Sequence, residues 1–290
     1  MVEGFYGVGG ERYVVGEGDF LALGHHKLRF SLIPMVHWPE TMVTYDETEG
    51  ILFSGDAFGC FGALNGGVID ANINTDIYWD EMVRYYSNIV GKYGAPVQKA
   101  LQKLQTLKIN AICSTHGPVW TEEIPRVVRI YDRLSRYEAE EGVVIAYGTM
   151  YGNTAEMAEA IAEELSKQGI RNIVMHNVSH TNHSYIIADV FKYRGLIVGC
   201  PTYNTQMYPE MEALLNKLSA REIKGRYMGW FGSFTWASAA VKKITEFNDK
   251  LKFEPVGNPI EMKHSMKSEN LCAMQGAGEG YGGSSESGVR

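Results

Sequence analysis

Two groups of residues in this chain are typed and spaced for chemistry. The first is Gly148-Thr-Met-Tyr-Gly-Asn-Thr154, which follows the apolar run Val143–Tyr147 and precedes Ala155–Leu165. In the latter segment Met157, Ala158, Ile161, Ala162 and Leu165 share one helical face. A strand, a glycine-rich loop and a helix in that order aim backbone N–H groups and a positive dipole end at one point, where a phosphate fits. Thr149 and Thr154 add hydroxyl donors, and Gly148 and Gly152 let the backbone come close. No Lys or Asp lies in or beside the loop, which argues against a nucleoside triphosphate with magnesium. The loop is not G-x-G-x-x-G, so a nicotinamide dinucleotide fits less well. One terminal phosphate held by hydroxyls and amides suits FMN.

The second group is spread over three fragments: Pro34-Met-Val-His-Trp-Pro-Glu40, Leu52-Phe-Ser-Gly-Asp-Ala-Phe-Gly59 and Cys113-Ser-Thr-His-Gly-Pro118. They place His37, Asp56 and His116 just after predicted apolar strands at 31–36, 51–54 and 109–114. Imidazole mixed with carboxylate suits iron, manganese or zinc better than a soft metal. Taken one at a time, each residue also reads as ordinary structure: a loop histidine, an Asx turn, a satisfied core histidine.

The elements that must position these residues alternate. Beyond the first strand, strands are predicted over 170–176, 195–199, 226–231 and 253–262, with helices over 185–192, 208–218 and 237–251. That alternation implies a doubly wound parallel sheet, whose ligand sits at the strands' carboxyl ends. The first loop, with Thr149, Met150, Tyr151, Gly152, Asn153 and Thr154, is expected to share such a site with two others. These are Pro201-Thr202-Tyr203-Asn204 after strand three and Ser233-Phe234-Thr235-Trp236 after strand four. Tyr203 or Trp236 would stack on a flavin. Upstream, helices are predicted over 75–90, 96–107 and 121–137, and the loop 60–67 is expected to wall the second site. The boundary falls at the polar run 138–141, giving units at 1–138 and 139–265 and a flexible Gly/Ser-rich tail over 266–290.

With T-M-Y-G-N-T, P-T-Y-N-T-Q and G-S-F-T-W at these places, residues 143–263 resemble a flavodoxin domain. The order of the three upstream fragments is similar to that of the flavodiiron proteins. The resemblance implies an α/β chain: a metallo-β-lactamase-like αββα sandwich, here incomplete, followed by a flavodoxin-like doubly wound parallel sheet. It implies FMN and a diiron centre in which His37 and His116 each bind one iron and Asp56 bridges them. Electrons would pass from FMN to the irons and reduce O2 to water or NO to N2O. The donor would be rubredoxin or a flavin/NADH reductase, and the assembly a head-to-tail homodimer or larger. One departure matters: the family's upstream H-x-E-x-D-H motif is absent, and His25-His26 lacks acidic neighbours at the right spacing. The chain is therefore expected to be N-terminally truncated, with iron held weakly and gas reduction impaired. A flavodoxin-type electron carrier with a non-functional lactamase-like appendage is the alternative, and a zinc hydrolase fused to a flavodoxin is the third reading.

Composition limits the rest. At 290 residues the chain is long enough for two domains. A net charge of −7 argues against nucleic acid and anionic membranes. The four cysteines form no C-x-x-C pair, so neither a zinc ribbon nor a rubredoxin site is expected, and reduced thiols in a cytoplasm are. No basic-then-apolar leader and no bilayer-length apolar run is visible.

Overall fold

A computed structural model describes residues 2–267. After a short helix α1 (Val2–Tyr6), six strands make the first sheet: β1 (Phe20–Leu23), β2 (His26–Leu32), β3 (Met42–Asp46), β4 (Ile51–Gly55), β5 (Ala111–Ser114) and β6 (Val119–Trp120), paired in sequence order. Pairing is antiparallel except between β4 and β5, which run parallel. A parallel pair needs a crossover. It is supplied by α2 (Asp76–Tyr85), a π-helical turn (Tyr86–Val90) and α3 (Gly94–Leu104), with α4 (Ile124–Ser135) following β6.

The central strands largely alternate. Val43, Tyr45, Leu52 and Ile112 point to the helices and are buried, and Trp79 stacks on Trp120 beneath them at 5.3 Å. The opposite face carries Thr44, Phe53 and Cys113 in one paired row, and Phe53 is 47% exposed. Among the described residues no second sheet covers that face, so the sandwich is open on one side.

The second sheet is wholly parallel: β7 (Glu140–Tyr147), β8 (Ile173–Asn177), β9 (Tyr193–Pro201), β10 (Tyr227–Phe234), β11 (Glu254–Pro255) and β12 (Ile260–Lys263). Its order is β8-β7-β9-β10, with β11 and β12 both on the far edge of β10. Helices α5 (Asn153–Lys167), α6 (His183–Lys192), α7 (Pro209–Ser219) and α8 (Ala240–Leu251) connect the strands. Both faces are covered: Val144, Leu196, Val198 and Met228 join the same core as the first sheet's helices, and Val143, Ile145, Ile197 and Phe231 join a second core with α5.

The two halves are tied together by side chains of α2 and α6. Arg84 lies between the rings of Phe61 and Tyr185, 4.5 and 4.4 Å from their centroids, and donates to Ser184 Oγ at 3.2 Å. Lys192 pairs with Asp80 at 3.1 Å. Arg226, buried without a carboxylate, donates to the carbonyls of Val190, Phe191 and Tyr137, which pins the end of the α4 segment to the parallel sheet. Burial, with Arg194 nearby, pulls its guanidinium down to about 10, so it stays charged at neutral pH.

Several predicted boundaries move, each for a local reason. The strand expected over 31–36 stops at Leu32, because Pro34 has no N–H for a ladder and the Ile33 N–H is turned to Thr41 O. The helix expected over 75–90 ends in a π turn whose last bond runs from Gly91 N–H to Tyr86 O. Pro96 is the third residue of α3, not the first; the first turn's N–H groups have no helical partner, so it is tolerated there. The single last strand expected over 253–262 is split into β11 and β12 by the left-handed Gly257 and by Pro259. Sequence reasoning missed β1, β3 and β6. The tail expected over 266–290 lies, from residue 268 on, outside the described residues.

Candidate functional site: a loop cleft and a carboxylate between two imidazoles

Parallel strands ending at one edge bring the three loops of the second half together. They surround a cavity of about 350 Å3 whose walls include Thr149, Asn153, Thr154, Thr202, Tyr203 and Trp236. All of the sequence-selected cleft residues line it except Gly152. Gly152 acts behind the wall: it starts α5 in a left-handed conformation, φ 93°, and its N–H donates to Thr149 Oγ1 at 3.1 Å. The first helical bond of α5 is Glu156 N–H to Gly152 O, so the amides of residues 153–155 remain for a ligand at the positive end of the helix. Gly148 must be glycine, since a Cβ there would lie 2.6 Å from the Tyr208 ring.

The other two loops are locked to this one. Thr154 Oγ1 and Ser233 Oγ share a hydrogen bond at 2.9 Å, buried between the loops. Thr202 Oγ1 accepts from Ala239 and Ala240 N–H, which caps α8. Tyr203-Asn-Thr-Gln206 closes a two-residue turn, with Tyr203 and Gln206 exchanging backbone bonds at 3.0 and 2.8 Å. Asn204 and Thr205 both have positive φ, at 46° and 59°, as such a turn requires. A β-branched residue in that region is strained, and strain of this kind persists where surrounding contacts hold a site in shape. Trp236 stands 85% exposed at the rim and presents an aromatic face there. Thr205, Ala237 and His264 also line the cavity and were missed. The first two extend loops already chosen. His264 comes from after the last strand, and nothing in its sequence neighbourhood marks it.

FMN's needs can be set against these walls. Its phosphate requires amide and hydroxyl donors, its ring an apolar or aromatic slot, and both kinds of surface are present in one cleft within the usual volume range for ligand sites. The residues fit the group.

The first half gathers its three residues by topology. Because β4 and β5 are parallel and in register from Ile51↔Ala111 to Gly55↔Ser114, their following residues sit side by side. A bulge at Gly55, φ 60°, turns Asp56 outward. The loop between β2 and β3 reaches the same edge, since β3 runs antiparallel to β4. His37 Nε2 lies 3.1 Å from Asp56 Oδ2, and His116 Nε2 lies 3.4 Å from Asp56 Oδ1. One carboxylate thus presents a separate oxygen to each imidazole. Two ligands bound at right angles to one ion at about 2.1 Å lie about 3 Å apart, so each pair is spaced for one metal. Thr115 Oγ1 holds Asp56 Oδ1 at 2.7 Å, Tyr85 packs on the His116 ring, and Cys60 N–H donates to His116 O. Burial pushes the Cys60 thiol up to about 12, with Glu81 adding to it, so it stays protonated and walls the site without serving as a thiolate.

Each position nevertheless has one nitrogen and one oxygen. Among the described residues no group of three or more His, Cys, Asp and Glu side chains converges to hold a single ion. His26 is bonded to Asp46 at 2.7 Å and His25 faces Glu49, both at the other end of β2, so neither completes the set. The residues present do not fit a closed metal centre, although they fit one edge of a two-metal one.

Beneath the site, Asp70 fixes the start of the α4 segment. Its carboxylate accepts the N–H groups of Thr121, Glu122 and Glu123, each at 2.9 Å. Burial pushes its pKa up, but the Thr121 hydroxyl and these amides outweigh burial and hold the carboxyl below the usual range.

Comparison with known proteins agrees with both halves. The flavodoxin family model matches residues 145–276, and the model of the ODP family beta lactamase matches residues 5–117. The chain is 32% identical over 259 residues to the uncharacterized protein MJ0732 of Methanocaldococcus jannaschii, covering 89% of this chain and 65% of that one. It is 31% identical over 239 residues to an anaerobic nitric oxide reductase flavorubredoxin of Escherichia coli O1:K1, covering 80% of this chain and 49% of that one. It thus spans about half to two thirds of the length of these relatives. The crystal structure of the flavodiiron protein from Giardia intestinalis superposes with a TM-score of 0.89 at 27% identity, over 93% of this chain and 67% of that one. A lactamase-type half carrying a shared carboxylate, followed by a flavodoxin half with its loop cleft, in the order of these relatives, makes this chain a member of the flavodiiron protein family.

Proposed function

We propose that this chain is an FMN-dependent oxidoreductase of flavodiiron type, with the metal half contributing a bridging carboxylate and one imidazole to each of two iron positions. The substrate is O2 or NO, the latter in keeping with the name of the Escherichia coli relative. The observation that carries the reading is Asp56 set between His37 and His116 in the same chain as the loop cleft lined by Thr149, Thr154, Tyr203 and Trp236. When bound, FMN supplies a ring that takes up two electrons together and gives them up singly. The chain's own residues do the rest of the work at that cleft. Thr149, Asn153 and Thr154 with the α5 amides bind the phosphate, and Tyr203 and Trp236 cover the ring against water. The Thr154–Ser233 bond keeps the two ends of the cleft in register.

The described residues supply two donors to each position where an iron takes five or six. We propose that this 290-residue chain holds iron below two per chain and reduces either gas poorly. The proposed assembly is a head-to-tail homodimer or larger, in which the open face around Phe53 and the exposed β1 edge give apolar surface to bury. The electron donor is proposed to be a rubredoxin or a flavin/NADH reductase. Among the described residues no helix is long and apolar enough to cross a membrane. A cytoplasmic place is part of the proposal.

The second reading, a flavodoxin-type electron carrier, is favoured by the contrast between the hydrogen-bonded loop cleft and the two-donor metal positions. Purified protein separates the two readings. FMN content, iron content and anaerobic NO or aerobic O2 consumption with a chemical reductant are measured together. Stoichiometric FMN with substoichiometric iron and slow gas consumption abolished by Asp56→Ala supports the first. Normal FMN with gas consumption unaffected by Asp56→Ala supports the carrier. Preference for FAD, or no flavin at all, overturns both.

A further inference from the structure

His264 is the residue of the cleft that no motif announced. It directly follows β12, and its N–H donates to Phe234 O at 2.9 Å, which ties it to the loop that carries Trp236. Its backbone is left-handed, φ 70°, which turns it across the end of β10. The cavity walls contain no Lys, Arg, Asp or Glu among the described residues. His264 is the one wall residue there able to carry positive charge. The nearest charges on its own strand lie outside the walls, and Glu261 is engaged by Ser238 Oγ.

Its place in the sheet says which part of the ligand it meets. The phosphate-binding amides follow β7, while β12 is three strands away across β9 and β10. At 4.8 Å per strand that is roughly 14 Å, beyond the reach of a histidine side chain. His264 therefore serves the ring end of the cleft, beside Phe234 and Trp236, and not the phosphate end.

We propose that His264 tunes the flavin: its imidazole faces the ring and stabilises the negative charge the ring acquires on reduction. This rests on the FMN reading of the cleft. Two electrons from a reductant and one proton from solvent leave a neutral flavin ring with one negative charge. A cation at the ring then favours the reduced over the oxidised ligand. The general reason is that a charge in a partly water-excluded cleft feels a fixed neighbour more strongly than it would in bulk water.

The test uses the full chain loaded with FMN, titrated with dithionite against a reference dye. The variants are His264→Gln, which cannot carry a positive charge, and His264→Lys, which can. His264 is exposed, so both variants are expected to fold, and circular dichroism checks that they do. The expected result for His264→Gln is about a tenfold loss of preference for reduced over oxidised FMN. For a two-electron couple that is about 30 mV lower in midpoint potential. Binding of oxidised FMN, followed by flavin fluorescence, should change far less, and His264→Lys should restore the potential. An unchanged potential in His264→Gln, or an equal fall in both variants, overturns the role of charge at this position while leaving the FMN reading intact. Failure of the unaltered chain to bind FMN overturns the FMN reading first, and this proposal with it.

Discussion

The two sheets of this molecule are built to different degrees of closure. In the parallel sheet, neighbouring residues of β9 point to opposite faces and both are buried: Ile197 is 4% exposed and Val198 0%. In the mixed sheet, neighbours on β4 part ways: Leu52 is 0% exposed and Phe53 47%. The sites follow the sheets. The cleft at the parallel edge has loops hydrogen-bonded to one another and a helix end directed into it. The carboxylate at the mixed edge has one imidazole per oxygen. A site is as complete as the layers that hold its loops, because loop residues take their positions from the strands behind them.

The largest expected effect breaks or upholds that contrast on one strand. Leu52→Ala should cost about 3 kcal/mol, as full burial and the cavity left behind require. Phe53→Thr, one residue on, should stay within about 0.5 kcal/mol in the isolated chain. Urea melts of the two variants decide it; a large loss for Phe53→Thr would mean that the open face is covered in solution. The corresponding pair on β9, Ile197→Ala and Val198→Ala, should both be costly.

Next in size is Asp70→Ala, expected to cost about 3 kcal/mol, because several amides of the α4 approach would lose their acceptor. Thermal melts measure it. If the loss is confined to the first half, a flavin-fluorescence probe in the cleft will melt later than the far-ultraviolet signal. Coincident transitions would show that the shared core welds both halves into one unit.

Acid should act in two stages. The folded pKa of His183 is lowered, by burial first and by Lys217 second, so the unfolded chain binds the extra proton. Stability is therefore lost as pH falls below the ordinary histidine value of about 6.5. Asp70, also lowered, contributes stability above the ordinary carboxylate value of about 3.9 that is lost as pH falls through its folded value. Midpoint temperatures taken from pH 8 down to pH 3 should fall in both windows, and His183→Gln should remove only the upper one.

The smaller effects lie in the cleft. Trp236→Ala should weaken FMN about tenfold, the size of a lost aromatic stacking contact, with no change in melting of the flavin-free chain. Thr205→Gly relieves a β-branched residue at φ 59° and should stabilise the flavin-free chain by about 1 kcal/mol. If it also loosens FMN, the strained turn is part of the cleft's fixed shape.

Much of this was legible along the chain because its causes are local. The glycine-rich loop between an apolar strand and an amphipathic helix carries its own geometry, and the alternation of strands and helices dictates a parallel sheet with loops at one edge. The types of His37, Asp56 and His116 and their places after strands were equally visible. Their convergence on the two oxygens of one carboxylate was not, since it depends on the parallel register of β4 and β5 and on the bulge at Gly55. The ends of strands and helices at Leu32, at Gly91 and around Gly257 were set by where backbone bonds went, which pattern alone does not show.

What the sequence determined by itself, then, was the class of each half and the chemistry of its loops, because periodicity and turn residues act over a few neighbours. Tertiary structure alone decided three things: that His264 joins the cleft from beyond the last strand, that Arg84 and Arg226 bind the halves together, and that no other sheet among the described residues covers one face of the first sheet. Each depends on which strands lie side by side, and that is set by burial summed over the whole chain.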